Sequence, residues 1–405
     1  GKYRPKNISS YIAGLNIYKL CWLNFLHLYQ SDNSPSARIK EAVEKSYLRL
    51  TRLLEDNPDL RFTANISACL LERLRTDSFI ELIKRWRRLI LSGRLEVVGS
   101  AAYHAFLPLI PEREALYQIK RQEELLQEIL GVDVRGGGFF FPEMAYTPAL
   151  AKLVKAQGYR WIIIDEASLP HLLERNPNGA YLDANSGLQV IVRQRRFSNA
   201  YAPDIIGDLL ESEVTHELLI TATDAELYGL RHEDPTLELE KIVALDNLQT
   251  QNISAFLDTQ KSLVPVIFRA ASWETNWDED GRNPFSVWYD TNNKIQRLLW
   301  RLARMAIAAG DKYGDDKNYQ WYRWHLSRGL ASCSFWWASG RDFFHNFGPV
   351  AWNPDEVENG INDLLRAIRS LQDKRSLKEK IKAENLVSTI RARLWQRHWR
   401  QFWTA

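Results

Sequence analysis

The chain holds only three cysteines in 405 residues, Cys21, Cys69 and Cys333, odd in number, far apart and set among apolar neighbours. That excludes a disulfide framework or a cysteine-rich metal site, and points to buried core thiols in a reducing, cytoplasmic setting. Long apolar runs are missing too: no stretch approaches the ~18 residues of a membrane span, and no secretory signal pattern is present. The expectation is a protein that neither crosses a membrane nor is exported by its own signal. Charge of one sign is also lacking, since 53 basic and 50 acidic residues leave +3, which gives no argument for a nucleic-acid partner. Asn-x-Ser triplets at Asn7, Asn65 and Asn252 read as chance. Oligomeric state is left open.

What the chain has in excess is tryptophan, 15 residues among 12% aromatics. Such an excess serves either packing or flat platforms for sugar rings. The length is enough for one large domain and a smaller one.

Strands and helices alternate over the first two thirds. Strand-like runs at 19–26, 61–67, 95–99, 161–165, 188–192 and 218–223 are separated by helical patterns at 36–54, 81–91, 111–130 and 147–156. Such alternation predicts a parallel sheet, and about seven units favour a barrel over an open sheet. After Asn283 the pattern becomes purely helical, with helices expected at 290–309, 321–338, 353–371 and 376–403. The last is basic and rich in tryptophan, but Val387, Ile390 and Leu394 give it a core face, so it reads as a docking helix with a solvated side. The division expected is a barrel over 1–282 and a helical domain over 283–405.

In a parallel barrel, reactive groups sit at the C-terminal ends of strands. Four candidates fall there: His27, His104, Glu143 and Asp224. Glu143 follows GGGFFFP, where the glycines let the backbone pass close to something bulky and Pro142 ends ladder pairing. The alternative role for Glu143 is capping the helix that starts near Thr147. Asp224 ends the apolar run LLITATD, too far upstream to cap a helix near Pro235. Two carboxylates facing one cleft suit glycoside cleavage, one attacking or stabilising the anomeric carbon and the other protonating the leaving oxygen.

These stretches, HLYQ at His27, GRLEVVG at 93–99 followed by YHAFLPLIP, GFFFPEMAY, TDAELYG and ASWETN at 271–276, occur in order over about 250 residues. In that order they resemble the five sequence regions of glycoside hydrolase family 57 (α-amylases, 4-α-glucanotransferases and branching enzymes). The resemblance implies an α/β fold, an incomplete (β/α)7 barrel followed by a C-terminal helical domain, α-glucan substrates, retention of anomeric configuration, and no metal or other cofactor. It makes Glu143 the nucleophile and Asp224 the general acid/base. His27, Glu96 and Glu226 match positions that hold the sugar, and His104 and Trp273 lie in corresponding motifs. The chain departs from the family where His27 is followed by Leu28 and Tyr29, and where Leu230, Arg231 and His232 stand in place of a tryptophan. The cationic donors Arg231 and His232 point toward an acidic or modified saccharide, unless Trp273, Trp336 or Trp337 supplies the sugar platform.

Two other readings compete. A metal-dependent polysaccharide deacetylase needs a local histidine pair, and no two histidines lie three to five residues apart. A carbohydrate-binding relative with weak or no turnover would keep the cleft, but both carboxylates are present. A nucleotide site is excluded because GGG at 136–138 lacks the Lys-Ser/Thr of a P-loop.

Overall fold

The computed structural model describes residues 20–171, 179–212, 217–340 and 351–404, so Asn7 lies outside the described residues. Ten strands form two sheets: β1 (Leu20–Leu28), β2 (Phe62–Ile66), β3 (Leu95–Val97), β4 (Gly138–Phe140), β5 (Trp161–Asp165), β6 (Ala180–Asp183), β7 (Gln189–Arg193), β8 (Glu217–Asp224), β9 (Leu248–Thr250) and β10 (Val264–Val266). The first sheet runs β3-β2-β1-β8, with β9 also on β1; the second runs β10-β6-β7-β5-β4. All pairings are parallel except β6 with β7. A parallel bridge from Gly99 to Phe139 joins the sheets on one side. On the other, Gln194 N–H donates to the Ile220 carbonyl at 3.0 Å.

Strand alternation sets what faces inward. Leu23 and Phe25 of β1, Phe140 of β4, Trp161 and Ile163 of β5, Ile191 of β7 and Ile220 and Ala222 of β8 form one buried cluster between the sheets. The helix Ile253–Asp258 adds Ile253 and Leu257 to it. The opposite strand faces pack against the outer helices in a larger core. Continuing the period of two, the next inward residues are His27, Asn65, Asp165, Arg193 and Asp224, a polar layer above apolar ones. His27 is in register with both Asn65 and Asp224.

The expected strands are present to within a few residues, and β6, β9 and β10 are additional. Beyond residue 283 the described residues hold helices and no strands, chiefly Lys294–Lys312, Tyr319–Gly329, Ser332–Trp336, Pro354–Ser370 and Leu377–Thr404. Val387, Ile390 and Leu394 of the last helix are buried, as its pattern predicts. The single helix expected over 321–338 is instead two, broken at Leu330 and Ala331, where Ala331 pairs with Ala105 of the loop after β3. Among the described residues no helix is long and apolar enough to cross a membrane.

Candidate active site

Glu143 does not cap the following helix; the Thr147 hydroxyl does, accepting from Leu150 N–H at 3.1 Å. Instead Glu143 sits in the left-handed region at φ +62°, an uncommon place for a non-glycine residue. Behind it, Gly138 lies so close to the Trp161 ring that any Cβ would collide. The turn aims the carboxylate at three donors. His104 Nε2 lies 3.0 Å and Ser332 Oγ 2.6 Å from Oε1, and Trp273 Nε1 donates to Oε2 at 2.9 Å. Burial alone would raise its pKa, but the bond and charge of His104, with Ser332, outweigh it and hold Glu143 below the ordinary glutamate value.

The rings around it form a stack. Tyr29 lies 4.1 Å from His104, His104 5.0 Å from His27, and His27 4.8 Å from Phe140, with Trp273 edge-on to His27 at 5.8 Å. Asn65 Nδ2 donates to His27 Nδ1 at 2.9 Å, which leaves the proton on Nε2. Burial first, then the charge of His104, lowers the His27 pKa, so its ring is neutral. His27 Nε2, His104 Nδ1 and Asn65 Oδ1 are buried without a protein partner. Three such atoms together are unusual, because buried polar groups are almost always satisfied.

Asp224 ends β8 and is less enclosed, its side chain 29% exposed. Its Oδ2 accepts from Arg231 Nη1 at 2.6 Å. Glu226 is buried below, bonded to the Tyr47 hydroxyl and, at 2.7 Å, to Gln30 Nε2. Burial and then the Asp224 charge push the Glu226 pKa up to about 7. Glu274, missed in the sequence, follows Trp273 and keeps an exposed surface, with its carboxyl drawn in among neighbouring protein groups. That enclosure and then the charge of Glu143 push it up to about 7 as well.

Three candidates from the sequence are not brought into this cluster. Glu96 is in register with Thr63, level with Phe25, one pleat repeat or about 6.6 Å below His27. Its carboxylate is taken by Ser254 Oγ, Ser254 N–H and Thr63 Oγ1, at the apolar end of the inner core. His232 stacks on Tyr201 at 3.8 Å instead of joining His27 and His104. The Trp337 ring packs edge-on against Trp336, and among the described residues no ring contact links it to the stack. Arg231 is in place, but its charge is committed to Asp224, so it is not a free cation for an acidic sugar.

Besides Glu274, the sequence reading missed Ser332, Tyr29, Asn65 and a buried anchor made by Asp165. Asp165 Oδ2 accepts from Arg193 Nη1 at 2.8 Å and Oδ1 from Arg195 Nε at 2.7 Å. Arg195 Nη2 then donates to the carbonyls of Ser272, Trp273 and Thr275, fixing the loop that carries Trp273 and Glu274. WIIID ending in Asp165 has the same form as LLITATD ending in Asp224, so that signal was available. Ser332 gave none. Among the described residues no group of three or more His, Cys, Asp or Glu side chains is placed to hold a metal.

Two acidic side chains, Glu143 and Asp224, and a stack of rings thus stand at the C-terminal ends of parallel strands in a protein of the α/β class. The sequence profile of Glycosyl hydrolase family 57 matches residues 9–288, and the chain belongs to that family. A 4-alpha-glucanotransferase of Thermococcus kodakarensis is 30% identical over 128 residues, 32% of this chain and 19% of that protein. An alpha-amylase of Pyrococcus furiosus is 29% identical over 148 residues, 36% of this chain and 22% of that one. The chain therefore spans about a fifth of the length of these relatives. The fold resembles the crystal structure of 4-alpha-glucanotransferase from Thermococcus litoralis at a TM-score of 0.68 and 17% identity, covering 88% of this chain and 60% of that one. It also resembles the branching enzyme of Pyrococcus horikoshii at 0.67 and 16%, covering 92% and 96%.

Proposed function

We propose that the protein is a retaining glycosidase or glucanotransferase acting on α-glucan chains, built on an incomplete (β/α)7 barrel. Its seven inner parallel strands would be β1 to β5, β7 and β8, with the helical region after residue 283 contributing Ser332 to the site. The observation that carries the proposal is the setting of Glu143, a carboxylate on a left-handed turn bonded by His104, Ser332 and Trp273 beside a stack of rings. In this reading Glu143 attacks the anomeric carbon and Asp224 protonates the leaving oxygen. A covalent glycosyl-enzyme forms, and water or a sugar hydroxyl then attacks it with Asp224 as base. His27 Nε2–H, His104 Nδ1 and Asn65 Oδ1 have free capacity for sugar hydroxyls, and Trp273 offers a ring face. Burial and the Asp224 charge favour the protonated form of Glu226. The unpaired thiols Cys21, Cys69 and Cys333 support a cytoplasmic setting.

The test is turnover of maltooligosaccharides with product anomers followed by NMR. Wild type should release or transfer the α-anomer. Glu143→Gln and Asp224→Asn should each lose on the order of 10³-fold or more in kcat with unchanged circular dichroism. Inversion, or full activity in either variant, overturns the assignment.

A further inference from the structure

Away from the cleft, the last helix and the start of the helix Lys294–Lys312 enclose an open cavity of about 550 Å3. Its wall carries four cations, Lys294, Arg393, Arg397 and Arg400, against one acid, Asp290. Among the described residues the rest of the lining is polar apart from Ile295, and includes Asn292, Asn293 and Gln396. The volume falls in the range of small-molecule sites.

Arg397 is the informative residue. Its guanidinium is half-buried, with Nε on the Gln401 side-chain oxygen at 3.3 Å and Cζ 4.7 Å from the Trp352 ring centre. It bonds no carboxylate, and burial lowers its pKa. Gly340, at φ +67°, leaves the space the guanidinium occupies, since any Cβ there would collide with Nη2. Arg393 and Lys294, both exposed, likewise make no ion pair among the described residues. Earlier on the same helix Arg391 is paired with Glu358 at 2.8 Å, and across the bundle Arg369 is paired with Glu384. A partly desolvated cation costs free energy unless an anion meets it, and here the missing counter-charge faces a cavity.

We propose that this cavity binds the phosphate ester of a sugar. Guanidinium forks match phosphate oxygens in pairs, and those of Arg393 and Arg397, with Lys294, outweigh the single Asp290 carboxylate among the described lining residues. The Asn292 and Gln396 side-chain amides and the Asp290 carboxylate suit sugar hydroxyls. Nothing in this argument uses the cleft or its chemistry.

Calorimetric titration of the full chain with glucose 6-phosphate, phosphorylated maltodextrin, inorganic phosphate and glucose tests it. Glucose 6-phosphate should bind one to one, at least tenfold tighter than inorganic phosphate, while glucose should leave the cavity empty. Arg397→Gln and the exposed Arg393→Gln should each weaken it tenfold or more. Arg393→Gln should retain wild-type melting temperature and unchanged turnover of unphosphorylated oligosaccharide. Phosphorylated maltodextrin binding as tightly would identify the ligand as a substituent on a glucan chain; binding of glucose 6-phosphate alone would identify a free sugar phosphate. No binding, equal affinity for inorganic phosphate, or wild-type affinity in both variants overturns the proposal. Binding is read without turnover, so it stands or falls separately from the glycosidase assignment.

Discussion

Glu143 and Asp224 are both carboxylates at strand ends, and their surroundings are opposite. Glu143 has a strained backbone, a side chain 13% exposed and donors from three separate segments. Asp224 has an ordinary strand backbone, a side chain 29% exposed and one ion pair, to an arginine that is itself 59% exposed. The first arrangement fixes position and charge. The second leaves a group that can gain and lose a proton and swing by a bond rotation. A nucleophile needs the former and an acid/base the latter.

The widest test of that contrast uses alanine at each position with added azide. Glu143→Ala should lose on the order of 10³-fold or more, and azide should restore turnover with an inverted glycosyl azide. Asp224→Ala should show comparable loss on poor leaving groups, and azide should give the retained product. Identical stereochemistry from both variants would end the division of roles.

Next in size is the pH dependence of stability. Glu226 has a folded pKa above its ordinary value, so its contribution is complete below about pH 4.5 and is lost as the pH rises toward 7. The effect amounts to about 1–3 kcal/mol. Glu226→Gln should flatten that part of the urea-unfolding profile. Glu143, depressed in the folded state, acts in the opposite sense and loses stabilisation only below the ordinary glutamate range. A wild-type profile that is flat from pH 4.5 to 7 contradicts the burial of Glu226 as a proton holder.

Ser332→Ala should lower kcat about tenfold, the scale of one hydrogen bond to a charged group, with little change in KM. An unchanged kcat would remove Ser332 from the support of Glu143. Smallest of all, Arg231→Gln should change unfolding free energy by less than ~1 kcal/mol, because the pair is largely exposed. A larger loss would mean that the Asp224 end is as rigid as the Glu143 end.

Much of this was readable in the sequence because it depends on period and position. The alternation of Leu23, Phe25 and His27, or of Ile220, Ala222 and Asp224, places a polar residue at the open end of an apolar strand without any knowledge of neighbours. Glu96 was named by resemblance, and its place one pleat repeat below His27 was not readable, because height depends on register with β2. Nor does the sequence give the partner of His232, since Tyr201 is brought to it by tertiary packing. Asn65 looked like a chance triplet and proved to orient His27. Ser332 was hidden for a different reason. Periodicity reads Leu326, Leu330 and Cys333 as one continuous helix, whereas the chain breaks there to pair Ala331 with Ala105.

That break has a consequence for the order in which the protein becomes competent. By residue 276 a growing chain has made both carboxylates, His27, His104 and Trp273, yet the serine that bonds Glu143 lies 189 positions after it. The helices that hold the segment Ser332–Trp336 in place, Lys294–Lys312 and Pro354–Ser370, lie on either side of it in sequence. A partly synthesised chain therefore carries its acidic groups without the full set of bonds that orients them, and Glu143 gains its last donor only after the helices on both sides of Ser332 have been made and packed.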